Sequence, residues 1–98
     1  MFLAKVVGTV VSTQKHRAFH GSKLLLLQPY VAQQQQLTPS GNSVVAIDSV
    51  GAGLGEFVMF TQGSSARLAA QQKDTPVDAI VVGIVDHVEV DGTKLERP

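Results

Sequence analysis

The sequence predicts an all-β fold with one short helix, a small closed barrel of five or six strands. Three observations carry that prediction. Valine, isoleucine, threonine and phenylalanine gather in short runs of strand length. Glycine, serine and proline punctuate the gaps between the runs. A chain of 98 residues holds one core and has no room for a second sheet layer. Residues 1–98 therefore read as a single domain, with no internal repeat.

The first strand covers residues 2–13, where Val6, Val7, Val10 and Val11 are β-branched. Ala4, Val6, Gly8, Val10 and Ser12 share one face; Leu3, Lys5, Val7, Thr9 and Val11 share the other. Gly8 inside the strand marks a bend or the close approach of a neighbouring strand. Residues 14–22 form a polar connection. His16 and His20 stand at i, i+4, a spacing that chelates a metal only from a helix. Gly21 and the missing apolar periodicity argue against a helix. With no cysteine in the chain and no carboxylate in the segment, a solvated loop is the simpler reading.

The second strand covers residues 23–31, with Leu24-Leu25-Leu26-Leu27 near its start. Leucine favours helix, but the stretch between Gly21 and Pro29 is too short for a typical one. Pro29 donates no ladder hydrogen bond, so that end belongs at an edge or a bulge. Residues 32–42, with their run of glutamines and a Pro39-Ser40-Gly41 turn, read as a polar loop. Residues 44–48 and 57–61 supply the third and fourth strands. Ser64 or Ser65 N-caps a short helix over residues 66–72. Pro76 closes that region, because the residue before a proline is pushed out of helical conformation. Residues 79–90 form the fifth strand, and Asp91-Gly92 is a hairpin signal that returns a short final strand at 93–96.

These elements suggest a barrel of the OB-like kind. A barrel interior needs only alternate residues to be apolar. Strands one, two and five are apolar on both faces. A lone barrel would then expose more than the roughly few hundred Å² of contiguous apolar surface usual for a monomer. Burial against identical chains is the simplest remedy, and it leaves their number open.

Composition excludes several functions. Eight Lys and Arg balance eight Asp and Glu, and the aromatics are four Phe and one Tyr. A single-strand nucleic-acid binder needs a basic groove and stacking rings, and a membrane-surface protein needs a basic patch. No apolar run approaches the roughly 20 residues of a membrane span. No signal-peptide pattern opens the chain, so a cytoplasmic location is expected.

The third and fourth strands flank a glycine cluster, Gly51-Ala52-Gly53-Leu54-Gly55, and a second small-residue turn, Gly63-Ser64-Ser65-Ala66, leads into Arg67. The cluster has neither the dinucleotide-binding spacing nor a Walker Gly-Lys-Ser/Thr end. A strand follows it, whereas a phosphate cradle needs a helix N-terminus. A tight strand-to-strand connection fits better.

Gly51-Ala52-Gly53-Leu54-Gly55-Glu56 followed by Gly63-Ser64-Ser65-Ala66-Arg67 resembles the paired signature of the EutN/CcmL family, the pentameric vertex proteins of bacterial microcompartment shells. Two further segments resemble the same family, residues 3–11 (LAKVVGTVV) and Pro76-Val77-Asp78-Ala79 running into Val82-Gly83-Ile84-Val85-Asp86. Together they span most of the chain in family order. The resemblance implies a homopentamer closing the vertices of a polyhedral shell, beside hexameric and trimeric shell proteins, with no cofactor. It places Gly51, Ala52, Gly53, Gly55, Gly63, Ser64 and Ser65 near subunit contacts and the ring centre. Glu56, Arg67 and Asp78 match its charged positions, and Arg67 is expected to bond one of the two carboxylates. It leaves the compartment type, carboxysome or catabolic, open.

Two other classes compete. An enzyme would need a constellation: Ser64 or Ser65, His87 and Asp86 are triad residue types, but the serines lie in no Gly-x-Ser-x-Gly elbow. Asp48 and Glu56 flank a turn and nothing isolates them as a catalytic pair. An OB-type nucleic-acid or ligand-binding oligomer is the second alternative, because a barrel does not fix a function. Neither accounts for the doubly apolar strands.

Overall fold

Five strands pair into a closed ring. The computed structural model describes residues 1–11, 23–63, 66 and 78–98. Eight strands lie within them: β1 (Phe2–Val10), β2 (Leu24–Gln33), β3 (Gln36–Pro39), β4 (Val44–Asp48), β5 (Phe57–Gln62), β6 (Ala79–Ile84), β7 (Val88–Val90) and β8 (Thr93–Leu95). The order β1-β5-β6-β4-β2 closes through a β1–β2 pairing, and β3 extends from β2. All pairs are antiparallel except β4–β6, which is parallel. A ring without edges needs no covering layer, which is how so short a chain closes its sheet.

Alternation decides what enters the ring. Ala4 and Val6 of β1, Leu25 and Leu27 of β2, Ala46 of β4, Val58 and Phe60 of β5, and Ala79 and Val81 of β6 form one buried cluster. Leu25 lies between Thr9 and Ala46, and Leu27 between Val6 and Val44. Pairing on both sides holds the leucine run extended against its intrinsic helical preference. Pro29 sits where β2 passes from β4, paired at residues 24–27, to β3, paired at 30–33, so its missing N–H is not needed there. The ladder of β1 with β2 shifts between Val6 and Gly8, a bulge at the position where the glycine predicts a bend.

A second, smaller cluster lies outside the ring, where Ala66 and Ile80 pack with Ile47 and Val82. This corrects part of the oligomer argument. On the outer face of β6, Ala66 of the same chain packs on Ile80 and partly on Val82, while Ile84 on that face stays exposed. Phe57, on the outer face of β5, is likewise enclosed, its ring edge-on to Tyr30 at 5.7 Å.

Several boundaries differ from the sequence reading, four of them in ways that matter to the fold. The first strand ends at Val10, and Val11 is exposed. The predicted loop at 32–42 is a hairpin, with Gln34 and Gln35 as its two-residue turn. The predicted fifth strand divides at residues 85–87: Val85 N–H donates to Phe57 O at 2.8 Å, the last bond to the barrel, and β7 then pairs with β8 in a separate ribbon. The final strand ends at Leu95. Of the helix expected over 66–72, Ala66 is helical and the remainder lies outside the described residues, as do His16 and His20.

Candidate functional site

The glycine cluster is a built turn. Glu56 N–H donates to Gly53 O at 3.1 Å, and Gly55 takes φ of 87°, the positive angle that a type II turn requires at its third residue. The Glu56 carboxylate reaches back and accepts the Gly53 N–H at 2.6 Å. Gly55 N–H donates to Val6 O, and Val6 N–H to Glu56 O, both at 2.9 Å. These two bonds seat the turn against β1, beside its bulge.

The approach to the turn is held as tightly. Asp48 Oδ1 accepts the N–H groups of Val50 and Gly51, each at 3.0 Å. Lys23 Nζ donates to Ala52 O at 2.7 Å and lies 3.7 Å from Asp48 Oδ2. Ser49 Oγ donates to Val81 O. Ala52 has no exposed surface and belongs to the barrel cluster, so it anchors the turn in its own chain. Its neighbours Gly51 and Gly55 are exposed, and Leu54 stands 74% exposed at the apex. Lys23 is remote in the chain and carries no sequence signal for this role, and Asp48 reads from sequence only as half of a candidate carboxylate pair.

The second small-residue turn begins at Gly63, whose N–H donates to Asp78 O at 2.8 Å. This bond draws together two of the residues singled out from sequence. Ser64, Ser65 and Arg67 lie outside the described residues.

Asp48 and Glu56, the carboxylates flanking the turn, are committed to backbone N–H groups. A groove of about 740 Å³ runs between the turn and the β7–β8 ribbon. It contains Glu56, Asp86 and His87, but its lining has no serine, threonine or cysteine to act as a nucleophile. His87 Nε2 lies 3.2 Å from Glu89 Oε1, a half-exposed pair of the kind that contributes little. Among the described residues no group of three or more His, Cys, Asp and Glu side chains could hold a metal ion, and no helix is long and apolar enough to cross a membrane. Large apolar side chains do stand exposed: Phe2, Val7, Val45 and Ile84 on the strands, with Leu54 on the turn.

Comparison with known proteins follows the same pattern. The profile of a family described as ethanolamine utilisation protein EutN/carboxysome matches residues 1–86. The bacterial microcompartment shell vertex protein GrpN of Rhodospirillum rubrum is 47% identical over 89 residues, 91% of this chain and 97% of its own. The carboxysome shell vertex protein CcmL of Gloeobacter violaceus is 47% identical over 95 residues, 97% of this chain and 92% of its own. The solved structure of that CcmL superposes with a TM-score of 0.83 over 96% of this chain and 94% of its own, at 46% identity. The structure of GrpN, described as a pentameric microcompartment shell protein, superposes at 0.79 with 47% identity, over 92% of this chain and all of its own.

Proposed function

The chain belongs to the EutN/CcmL family, and from that premise we propose that it is the pentameric vertex unit of a bacterial microcompartment shell. It is a structural part and carries out no catalysis. The carrying observation is the near-complete match, in both directions, to a shell vertex protein whose solved structure is described as pentameric. Five copies meet head to tail around an axis, each offering one face to its neighbour's different face, and the ring closes because the rotation does. A flat layer of hexagonal tiles cannot curve into a closed container, and five-fold plugs supply the missing curvature. The partners are the hexameric and trimeric shell proteins that surround each plug.

Residues 1–98 act as one vertex domain in this reading. The glycine turn and the Gly63-Ser64-Ser65 turn lie at subunit contacts and near the ring axis, where small side chains permit close approach. Exposed Leu54 at the apex supports that placement, since a lone chain gains nothing by holding it in water. Arg67 pairs with Glu56 or Asp78, within or between subunits. Co-assembly tests the function. Hexamer-forming and trimer-forming shell proteins, imaged with and without this chain, should give closed shells only when it is present. Closed shells in its absence, or failure of the chain to incorporate, would overturn the vertex role.

A further inference from the structure

We infer that Lys23 and Asp48 are positioning residues that hold the glycine turn in its assembly-ready shape before any neighbour arrives. Lys23 immediately precedes β2 and Asp48 closes β4, so the pair joins two adjacent strand ends, and Asp48 N–H donates to Lys23 O at 2.9 Å. The Asp48 side chain is 2% exposed, yet both its oxygens are engaged: Oδ1 by Val50 and Gly51 N–H, Oδ2 facing the Lys23 ammonium. The same ammonium holds Ala52 O. Two side chains thus fix three consecutive residues leading into the turn, and Glu56 holds the next one, Gly53.

The physical consequence is preorganisation. A turn with glycine at alternate positions has wide conformational freedom, and ordering it at the moment of contact would subtract from the association free energy. Here the freedom is removed within the single chain. The inference rests on the reading that this turn meets a neighbouring subunit.

Two variants test it, Lys23→Met and Asp48→Ala, with amide exchange and ring dissociation measured on the same samples. The expected result is at least about tenfold faster exchange at Val50 and Gly51, unchanged exchange at barrel positions such as Leu25 and Val58, and about a tenfold rise in the dissociation midpoint. Lys23→Arg, which keeps a cation with donors, should restore part of both. If Asp48→Ala does not fold, Lys23→Met carries the test, since the Lys23 side chain is half exposed. Unchanged exchange at Val50 and Gly51 would overturn the positioning role. Faster exchange with an unmoved midpoint would overturn its link to assembly. A wild-type chain that remains monomeric would instead defeat the pentamer reading, while the exchange result alone would judge the hold on the turn.

Discussion

Two hairpins in this chain share one turn geometry and differ in almost everything else. Gln34 and Gln35 connect β2 to β3 with φ of 50° and 63°; Asp91 and Gly92 connect β7 to β8 with φ of 50° and 78°. Positive φ at both central residues is the arrangement that matches the right-handed twist of paired strands. Asp-Gly adopts it readily. Gln-Gln does not, since a side chain in the left-handed region costs about 1–2 kcal/mol per residue. The difference lies in what stands behind each turn. β2 is a stave of the barrel, with Leu25 and Leu27 fully buried, and its far end projects from that fixed base to pair four times with β3. β7 and β8 pair three times, in a ribbon outside the barrel. One turn is imposed by its strands, and the other helps to form its strands.

Leu27→Ala should break the comparison most forcefully. Truncating a buried leucine costs about 2–5 kcal/mol. Melting temperature should fall sharply, and amides of the β2–β3 hairpin should lose protection along with the barrel. Protection at Val88 and Val90 should stay as it was, and parallel loss in both hairpins would show that they are not independent. Gly92→Val comes next. A β-branched residue at φ of 78° is strained by about 1–3 kcal/mol, enough to loosen a two-stranded ribbon in which Leu95 alone is buried. The ribbon's exchange should accelerate while the barrel melts where it did.

The smallest effect has the opposite sign. Replacing Gln34-Gln35 by Asn-Gly should stabilise the β2–β3 hairpin by about 1 kcal/mol, because the left-handed strain is relieved. Thermal unfolding should move up by a few degrees. A loss of stability would mean that the glutamine side chains make contacts worth more than the strain they impose.

This contrast also explains what was legible in the sequence. The strands at 44–48 and 57–61 stood out because turn-forming residues bound β-branched and aromatic runs. Asp91-Gly92 announced its hairpin for the same local reason. Gln34-Gln35 carried no such mark, since its conformation is set by the barrel behind β2. The break at residues 85–87 was hidden too. Val85 and Val88 continue the β-branched pattern, and the departure from the barrel follows from where β5 begins, at Phe57. At the candidate site, alternate glycines read as a tight strand-to-strand connection; the structure has a tight turn at 53–56, but β6 stands between the two strands it joins. The hold of Lys23 on Ala52 O spans 29 positions and appears only when β2 and β4 lie side by side. Glu56 reads from sequence as one of two candidate partners for Arg67, and its carboxylate also holds the Gly53 N–H three residues back. Spacing alone does not separate these two uses of a carboxylate.

The central claim is that this barrel functions as a five-membered ring, and native mass across a dilution series tests it most directly. A discrete five-subunit mass that gives way to free chain only at low concentration is expected. A closed ring of another order would contradict the vertex geometry, and a monomer at every concentration would contradict the assembly itself.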